Sequence, residues 1–513
     1  MVYKVYSGRV GGIFGDLITV EVDASPGLPG LEMIGLLASE VREAGNRVRV
    51  SLKNNGISLP AMKITINLSP ADEHKSGSAF DLPIAVAILG VYGHIPKFDP
   101  EKTLVIGELS LDGEIRPVRG ILPIVKMARE QGFKRVILPK DNAAEGALIR
   151  GIDIIPVDTL SETMGLLALG GQYFEEAAKP YRESFDPENA ETADIPDFSD
   201  VIGQENVKRA AKIAASGFHH FLMTGPPGSG KSLIAKRIPG IMPEMSYEEC
   251  LEITTIYSVA GKLTKDQPFV KRRPFWSPHH GASAQSIVGG GLLAKPGLVS
   301  LSHKGILFLD EMPEFKRETI DMLRQPLEDG TITVSRARQS LTYPAGFMLV
   351  GAMNPCPCGF FPDRSRCKCT EVQISRYLSR ISGPILDRID ICVEVSRMDL
   401  NEISAEHGSS ETSAEIRKKV EAAVNRQKER YKDEKFKFNA DLPGAKIAKY
   451  VPLGAKETDF VNSLYESMRL SMRSLYKLLR VSRTIADYDG DSDVSVKHLA
   501  EAACYRFPDY LGG

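Results

Sequence analysis

The chain has 513 residues, a formal net charge of −2 at pH 7, and 42% hydrophobic and 25% charged residues. This length favours two or three domains, and the composition is that of an ordinary globular protein. A slightly acidic chain is not a general nucleic-acid coat, so any DNA-binding surface must be local. The longest apolar run lies within residues 82–93 and is too short to cross a membrane, and the N-terminus lacks the features of a signal peptide. We therefore expect a cytoplasmic protein with reduced thiols and no membrane partner.

The first part of the chain, residues 1–174, predicts an α/β domain. Short β-branched and aliphatic runs predict strands there, and longer apolar segments predict helices. The predicted strands are 63–70, 103–111, 135–139 and 151–157, and the predicted helices are 81–93 and 121–132. The acidic, proline-bearing segment 175–196 lacks apolar periodicity, so we expect it to be a linker.

The remainder of the chain predicts a second α/β domain followed by helices. Between residues 197 and 394, the short apolar runs HHFLMTG, KGILFLD and GFMLVGAMN are typical of buried parallel strands. From residue 395 onward the pattern becomes helical. The predicted helices are 413–431, 453–468, 474–488 and 494–506. The fold class predicted for the whole chain is therefore α/β, with a parallel-sheet core and a helical domain at 395–513.

A phosphate-binding loop is predicted at FLMTGPPGSGKS, residues 221–232, which has the spacing GxxxxGK[ST] between an apolar strand and a helix. Glycines let backbone N–H groups surround phosphates, and the helix N-terminus adds a favourable dipole. We expect Lys231 to reach the β- and γ-phosphates and the Ser232 hydroxyl to bind Mg²⁺. The alternative is a Gly/Pro turn before a helix. The predicted nucleotide-binding residues are Gly225, Pro226, Pro227, Gly228, Ser229, Gly230, Lys231 and Ser232.

Two later apolar strands end in polar side chains. The strand in KGILFLDEM ends in Asp310, which we expect to hold magnesium, and Glu311, which we expect to activate the attacking water. The strand in GFMLVGAMN ends in Asn354, which can hold the water or the γ-phosphate. The alternative role of this asparagine is to cap a turn. Together these residues predict ATP hydrolysis with ATP and Mg²⁺ as cofactors.

The order of these motifs resembles that of AAA+ ATPases, and three segments resemble more specifically the magnesium-chelatase-like family called YifB or ComM. The segments are RRPFWSPHHGASAQSIVGGG (272–291), KGILFLDEMPEF (304–315) and SRISGPILDRIDI (379–391). The similarity covers essentially the whole chain. It implies a P-loop AAA+ core at 197–394, with a helix-2 insert and a hairpin, and a C-terminal helical lid at 395–513.

The resemblance also implies roles for individual residues. Val201 and Ile202 would line the adenine pocket. Arg388 would be an arginine finger, a fixed cation that stabilises charge on the nucleotide of the neighbouring subunit, and Arg473 would be the sensor-2 arginine. A divided active site requires assembly, so we expect a homo-hexamer. For each arginine the alternative is a surface salt bridge. Two further arginines lie near the finger position: Arg376 and Arg380.

The N-terminal domain resembles the proteolytic domain of Lon over residues 63–89 and 108–142. That enzyme uses a serine nucleophile activated by a lysine. Alignment places Ala79 at the nucleophile position and Leu122 at the lysine position. We therefore expect a Lon-like scaffold without peptidase activity, used for assembly or partner binding, and an active protease is the alternative. The nearby polar residues, Ser76, Ser78 and Lys126, are displaced from the two positions.

Two cationic segments are candidates for DNA contacts. The first contains Lys271, Arg272 and Arg273, followed by Trp276, His279 and His280. In related helicases an insertion here projects toward the central pore of the ring. The second segment, 329–344, predicts a hairpin with Arg336 and Arg338, which relatives place in the pore. From the residues alone, a solvated hairpin is an equally good interpretation.

Four of the seven cysteines follow directly after Asn354 as two CxC pairs: Cys356, Cys358, Cys367 and Cys369. Four thiolates match a structural Zn²⁺ site, although the spacing within each pair is tighter than usual. Reduced packing thiols and a redox switch are the alternatives. Arg364, Arg366 and Lys368 on the same loop either contact nucleic acid or are solvated. The remaining cysteines are predicted core residues: Cys250, Cys392 and Cys504.

These motifs and the resemblance lead to one main hypothesis and two alternatives. The main hypothesis is a ring-forming AAA+ ATPase that couples ATP hydrolysis to translocation and branch migration of single-stranded or branched DNA. By the family's role in transformation, recombination proteins are expected as further partners. The first alternative is a magnesium-chelatase-type motor for metal insertion into a porphyrin, and the second is an ATP-dependent Lon-like protease.

Overall fold

A computed structural model describes residues 2–72, 75, 77–96, 99–170, 172–183, 195–291, 294–336, 339–397 and 411–506. The chain divides into two compact units. Unit 1 comprises Met1–Glu191 and Tyr247–Lys271, and unit 2 comprises Thr192–Ser246 and Arg272–Gly513. The segment Tyr247–Lys271, which was predicted to lie within the ATPase core, therefore belongs to the same compact unit as the N-terminal domain.

The strands are numbered in chain order. They are β1 (Tyr3–Gly11), β2 (Phe14–Ser25), β3 (Gly30–Ile34), β4 (Lys63–Ser69), β5 (Thr103–Val105), β6 (Glu108–Leu109), β7 (Ile115–Arg116), β8 (Arg135–Pro139), β9 (Asp153–Val157), β10 (Phe221–Thr224), β11 (Phe275–Trp276), β12 (Gly289–Gly290), β13 (Lys295–Pro296), β14 (Ile306–Leu309), β15 (Thr331–Arg336), β16 (Gln339–Pro344), β17 (Met348–Met353) and β18 (Ile391–Glu394).

The α-helices are numbered in the same way. They are α1 (Ser39–Asn54), α2 (Asp81–Val91), α3 (Ile121–Glu130), α4 (Ala143–Gly146), α5 (Leu160–Leu169), α6 (Gln172–Glu183), α7 (Glu205–Gly217), α8 (Lys231–Ala235), α9 (Ile238–Ile241), α10 (Tyr247–Ala260), α11 (Ala284–Val288), α12 (Leu298–Leu301), α13 (Arg317–Asp321), α14 (Arg324–Asp329), α15 (Glu371–Leu378), α16 (Gly383–Leu386), α17 (Ser413–Arg430), α18 (Ile447–Tyr450), α19 (Ala455–Ser467), α20 (Met472–Asp489) and α21 (Val496–Cys504). None of the helices in the described part of the chain combines the length and apolar character that a membrane span requires.

Unit 1 is built on a seven-stranded mixed sheet with the order β3-β4-β2-β1-β5-β8-β9. The β1–β2 and β2–β4 pairs are antiparallel, and the other pairs are parallel. Helix α2 is apolar on every side, and its residues from Asp81 to Leu89 are buried, as expected for a helix inside a core. The predicted helices and strands of this unit are confirmed, except within 103–111. There the backbone leaves the sheet after β5, because Gly107 exchanges backbone hydrogen bonds with Ala79 and Leu82.

The predicted linker requires a correction. Its first part, to Glu183, belongs to helix α6, and residues 184–194 lie outside the described part of the chain. Phe174 and Ala178, four residues apart on α6, are 6% and 0% exposed and pack into the core of unit 1. The acidic composition of the segment concealed this narrow apolar face.

Unit 2 contains a five-stranded parallel sheet with the order β11-β14-β17-β10-β18. Strands β10, β14 and β17 are buried at every residue, as their uninterrupted apolar runs predict. The predicted C-terminal helices are confirmed as α17, α19, α20 and α21, and side chains from these helices join the sheet in one core. Because the strands are parallel, the segments that follow β10, β14 and β17 start at the same edge of the sheet.

Candidate functional site

The phosphate-binding loop connects β10 to α8 at this edge of the sheet. A side chain at Gly225 would place its Cβ 2.2 Å from the carbonyl oxygen of Val395, so the neighbouring backbone admits only glycine. Gly230 precedes α8 with φ of +90°, a conformation that favours glycine. The loop is therefore built as the GxxxxGK[ST] spacing predicts, with Lys231 and Ser232 as the first helical residues.

Lys231 is 8% exposed and lies inside the loop. Its Nζ donates to the carbonyl oxygens of Gly225 at 2.7 Å and Pro226 at 2.8 Å, and to Asn354 Oδ1 at 3.3 Å. Burial lowers the pKa of Lys231 to about 8, against the opposing effect of Asp310 and Glu311. A phosphate in the loop would favour the charged ammonium, so this lysine is suited to bind an anion.

The side chains that follow β14 face the start of α8. Ser232 Oγ donates to Asp310 Oδ2 at 2.6 Å, and the other Asp310 oxygen accepts from the backbone N–H of Glu311 at 3.0 Å. Adjacent hydroxyl and carboxylate oxygens are ligands that Mg²⁺ prefers. Glu311 has φ of +49°, an uncommon conformation for a residue with a side chain, and its carboxylate is 59% exposed.

The structure therefore forms two hydrogen-bonded pairs at adjacent helical residues, Lys231 with Asn354 and Ser232 with Asp310. Glu311 directly follows Asp310. His280 was predicted to lie in a candidate DNA-binding segment, but its Nδ1 lies 3.8 Å from Glu311 Oε2. The placement follows from the pairing of β11 with β14, because His280 lies four residues beyond the end of β11. No sequence motif links the two residues, so this contact was not predicted.

Arg388 and Arg473 line a different cavity, of about 420 Å³. Lys477 and Arg480 of helix α20 line it as well. None of the described residues around the cavity belongs to the phosphate-binding loop. The two arginines that were predicted separately are thus brought together, away from the loop of the same chain. The acidic residues of the lining are Glu328, Asp329, Asp387, Asp390 and Asp441.

The predicted adenine-pocket residues differ in exposure. Val201 is 3% exposed and packs in the core of unit 2, and Ile202 is half-buried. An aliphatic side chain contacts a base by packing against its face, so its surface has to be accessible to the ligand. Ile202 is therefore the better placed of the two to meet a ligand.

Of the cationic residues proposed for DNA contact, Arg273 needs a correction. Its side chain is buried, and its guanidinium donates to the carbonyl oxygens of Pro243 and Lys304, both at 2.7 Å. These backbone acceptors assign Arg273 a structural role rather than a place on a binding surface. Lys271 ends the second segment of unit 1, whereas Arg272 begins a segment of unit 2, and both are half-buried.

The predicted hairpin is confirmed as β15 and β16, which pair in register from Thr331 with Pro344 to Arg336 with Gln339. Hydroxyl pairs across the strands support it, including Thr333 with Thr342 at 3.1 Å. The side chain of Arg336 and the whole of Arg338 lie outside the described part of the chain.

The four cysteines after Asn354 form a cluster in which all Sγ atoms lie within 4.8 Å of one another. Cys356 Sγ is 3.3 Å from Cys358 Sγ and 3.7 Å from Cys367 Sγ. Four sulfurs at about 2.3 Å from a tetrahedral Zn²⁺ would be separated by roughly 3.8 Å, so the cluster has suitable dimensions for a metal. The backbone N–H of Gly359 also donates to Cys356 Sγ at 3.2 Å.

Two arginines on the cysteine loop lie over aromatic rings. The Arg366 guanidinium is 4.1 Å from the Phe360 ring centroid, and that of Arg364 is 5.0 Å from the Phe361 centroid. Such cation–π contacts hold both side chains against the loop. The other cysteines differ in exposure: Cys250 and Cys392 are buried, as predicted, but Cys504 is exposed, which corrects its assignment to the core.

In unit 1, the positions aligned with protease catalytic residues are apolar and packed. Leu122 is fully buried in a core cluster, and Ala79 packs against the same cluster. The Ser78 hydroxyl donates to the Glu108 carboxylate, and Lys126 is exposed on α3. Ser76 lies outside the described residues.

The parallel sheet, the phosphate-binding loop and the paired acidic residues define an ATPase core of the AAA+ type, for which the cofactors are ATP and Mg²⁺. Family profiles agree with this class. "Magnesium chelatase, subunit ChlI" matches residues 197–403, "Subunit ChlI of Mg-chelatase" matches 20–142, and "Magnesium chelatase, subunit ChlI C-terminal" matches 410–506.

Similar proteins extend the match to nearly the full chain. YifB of Escherichia coli is 41% identical over 500 residues, covering 98% of this chain and 96% of that protein. Competence protein ComM of Haemophilus influenzae is 39% identical over 502 residues, covering 98% and 97%. The magnesium-chelatase 38 kDa subunit of Rhodobacter capsulatus is 28% identical and covers 32% of this chain and 52% of its own. The chain therefore belongs to the YifB/ComM family of magnesium-chelatase-like proteins.

Proposed function

We propose that this protein is a ring-forming ATPase that couples ATP hydrolysis to the movement of DNA. The observation that carries the proposal is the separation of two groups of residues within unit 2. Lys231, Ser232 and Asp310 converge at the edge of the sheet, whereas Arg388 and Arg473 line a cavity without residues of the loop. Arginines in this position can contact the nucleotide bound by a neighbouring copy. If each copy contacts the next in the same way and the arrangement closes, the copies form a ring. We expect this ring to be a homo-hexamer.

In this mechanism each side chain has a defined task. Lys231 binds the β- and γ-phosphates, Ser232 and Asp310 hold Mg²⁺, and Glu311 accepts a proton from the attacking water. Bound Mg²⁺ supplies neutralisation of charge on the phosphate oxygens. Asn354, already bonded to Lys231, orients the water or the γ-phosphate. Arg388 of the neighbouring copy stabilises charge on the phosphoryl group, and Arg473 beside it contributes a second cation.

DNA is the proposed substrate of the movement. Strand β15 ends at Arg336, and Arg338 follows two residues later in the sequence. Cations of this segment from several copies can follow a phosphate backbone. Lys271 and Arg272 are further candidates for DNA contact. The name of the H. influenzae relative, a competence protein, favours DNA over other substrates because its match covers nearly the whole of both chains. Branch migration of single-stranded or branched DNA, with recombination proteins as partners, is the specific activity that we propose.

A magnesium-chelatase-type motor is the second candidate function. It is favoured by the family profiles, which carry the chelatase name over all three matched regions. The chelatase subunits of R. capsulatus and Acidiphilium rubrum cover 32% and 60% of this chain, whereas the competence protein covers 98% of it. For this reason the DNA motor is the leading proposal.

The cysteine cluster is proposed to hold one structural Zn²⁺. The sulfur separations and the backbone N–H donated to Cys356 support a closed four-thiolate site. Unit 1 is proposed to be a Lon-like scaffold without peptidase activity, because Ala79 and Leu122 supply neither a nucleophile nor a base. ATP-dependent degradation of casein by the pure protein would contradict this assignment.

The decisive experiment is a strand-displacement and branch-migration assay on forked and four-way DNA. The wild-type protein should convert these substrates with ATP and Mg²⁺, and Glu311→Gln should bind ATP without converting them. A protein that hydrolyses ATP but leaves every DNA substrate unchanged would refute the DNA motor. Metal insertion into a porphyrin, measured with added chelatase subunits, would then support the second candidate.

A further inference from the structure

Arg388 is held by two acceptors of its own chain. Its Nη1 donates to the carbonyl oxygen of Pro384 at 2.7 Å, and its Nη2 pairs with the Glu328 carboxylate. The Arg388 side chain is 9% exposed, and its Nε is buried without a partner in the described part of the chain. A long cation that is fixed at both ends of its guanidinium has lost most of its rotamer freedom.

The flanking backbone of Arg388 is fixed as well. Lys477 of helix α20 donates from Nζ to the carbonyl oxygen of Ile389, the next residue, at 2.9 Å. The position of the guanidinium then depends mainly on its own side-chain torsions, and those are set by the contacts at its tip. Pro384 contributes a backbone carbonyl, so Glu328 is the side chain that determines where the guanidinium lies.

Glu328 lies three residues before strand β15, at the end of the β15–β16 hairpin where its two strands join the rest of unit 2. It is the last but one residue of α14, and Gly330, the residue that follows this helix, has a left-handed conformation with φ of +63°. Gly330 immediately precedes β15, and its carbonyl oxygen accepts from the backbone N–H of Ala345, which follows β16, at 2.7 Å. Residues from both sides of the hairpin base, Gly330 and Gly346, line the same cavity as Arg388. A displacement of the hairpin base therefore displaces Glu328.

We propose that Glu328 is a positioning residue for Arg388 and that, through Glu328, the state of the hairpin sets the position of this arginine. The inference rests on the proposed function, because it assumes that Arg388 serves the nucleotide of a neighbouring copy. Holding the guanidinium before the neighbour docks reduces the entropy lost on forming the divided site. Movement of the hairpin by bound DNA then alters the contribution of Arg388 to hydrolysis in the adjacent copy.

The first test is steady-state ATP hydrolysis by the full-length variants Glu328→Ala, Glu328→Gln and Arg388→Ala. We expect Glu328→Ala to lower kcat on the order of tenfold while the KM for ATP stays within about twofold, because the phosphate-binding loop is a separate site. Glu328→Gln keeps an oxygen acceptor and should fall between wild type and Glu328→Ala. Glu318→Gln, an exposed carboxylate on α13, is the matched control and should retain the wild-type kcat.

Mixing variants distinguishes an effect through Arg388 from general damage. By the proposed mechanism, Lys231→Ala subunits should not hydrolyse ATP but should still offer an intact Glu328–Arg388 pair to a neighbour. Adding them to Glu328→Ala subunits should raise turnover, as it should for Arg388→Ala. Failure of mixing to raise the turnover of Glu328→Ala, when it does so for Arg388→Ala, would overturn the positioning role and leave the proposed function intact.

The proposed function fails in a different way. If Arg388→Ala itself retains wild-type turnover, the arginine does not serve a neighbouring nucleotide, and both proposals fall together. The link to the hairpin is measured by the ratio of turnover with and without a single-stranded oligothymidine. This ratio should fall toward one in Glu328→Ala, and an unchanged ratio would overturn the link.

Discussion

The Arg47–Asp81 pair of unit 1 and two cations of unit 2, Lys231 and Arg388, show contrasting ways of holding a buried charge. In unit 1, the fully buried Asp81 accepts two hydrogen bonds from Arg47, at 2.9 and 2.8 Å, and one from the Leu109 backbone at 3.3 Å. In unit 2, Arg388 keeps a buried Nε without a described partner, and Lys231 is held by carbonyl oxygens rather than by an acid. Satisfied pairs stabilise a fold, whereas a cation held by neutral carbonyl oxygens, as Lys231 is, remains available for an anionic ligand.

The hydrogen-bond partners of these buried charged side chains indicate whether a side chain has a structural or a functional role better than its burial does. Asp81, Lys231 and the Arg388 side chain are all largely buried. What distinguishes Lys231 and Arg388 is that their neighbours are other candidates for ATP chemistry, at the edge of a parallel sheet or around a cavity. Variants in both units test whether these buried charges serve stability or ATP hydrolysis.

The largest effect is expected for Glu311→Gln. Glutamine cannot accept the proton of the attacking water, so turnover should fall by roughly 100-fold or more while ATP binding persists. Steady-state hydrolysis and equilibrium binding of a fluorescent ATP analogue would measure the two quantities separately. Lys231→Ala should instead weaken ATP binding itself. Wild-type turnover by Glu311→Gln would remove this residue from the catalytic role.

In unit 1, removing the cation that pairs with Asp81 should lower the stability of the fold and should not act on ATP hydrolysis directly. Arg47→Leu leaves Asp81 buried without its cation, which should cost about 3–5 kcal/mol in the free energy of unfolding. Arg49→Leu, an exposed position on the same helix, is the control and should stay within about 0.5 kcal/mol of wild type. Urea denaturation would compare them, and equal stabilities would show that the buried pair is not needed for the fold.

The pH dependence of this variant provides a second measurement. Burial raises the pKa of Asp81 to about 6, and Arg47 acts against that rise. A carboxyl group with a raised pKa in the folded state favours folding at low pH, and this contribution is lost as pH increases through the folded-state value. In Arg47→Leu the pKa should rise further, so the loss of stability should be smaller at pH 5 than at pH 7. If the difference in the free energy of unfolding between Arg47→Leu and wild type is the same at both pH values, the ionisation of Asp81 is not its cause.

The zinc proposal predicts about one zinc per chain in protein prepared without chelators. A double variant, Cys356→Ser with Cys367→Ser, should lose the metal, whereas the exposed Cys504→Ser should retain it. Since a Cβ on Gly359 would lie 2.4 Å from Pro227 Cδ, the cysteine loop packs directly on the phosphate-binding loop. Loss of zinc should therefore also weaken ATP binding. Elemental analysis without zinc in the wild type would favour free thiols.

Contiguous motifs explain which parts of the site could be predicted. The phosphate-binding loop, the Asp310–Glu311 pair and the cysteine pairs each carry their chemistry within a few neighbouring residues. The Glu328–Arg388 pair joins residues 60 positions apart, and nothing in either segment specifies the other. Arg273 was misassigned because the sequence of a cationic run does not show whether a guanidinium donates to backbone carbonyls or faces solvent.

The strands and helices, like the site residues, were predicted only where a contiguous stretch of sequence carries a clear pattern. Long apolar runs identified three of the five parallel strands of unit 2, namely β10, β14 and β17. Strands β11 and β18 of unit 2, and β1 to β3 and α1 of unit 1, were not predicted. Within β2 the buried residues Ile18, Val20 and Val22 alternate with more exposed ones, so a period-two signal was present there. Helix α6 was missed because only Phe174 and Ala178 mark its buried face among acidic residues.

The smallest expected effect concerns the tip of the hairpin and tests whether unit 2 keeps DNA binding separate from ATP chemistry. Replacing Arg336 and Arg338 with alanine should weaken DNA binding and branch migration but leave basal hydrolysis and assembly unchanged. Contacts between arginines and phosphates release counterions, so the slope of log affinity against log salt should become less steep, by about 1.4 for each pair of phosphates that is no longer neutralised on single-stranded DNA. Ser335→Ala, on the same strand, keeps both charges and is the control. Normal migration of four-way junctions by the double variant would place the DNA path elsewhere, and loss of assembly would identify the hairpin as a contact between subunits.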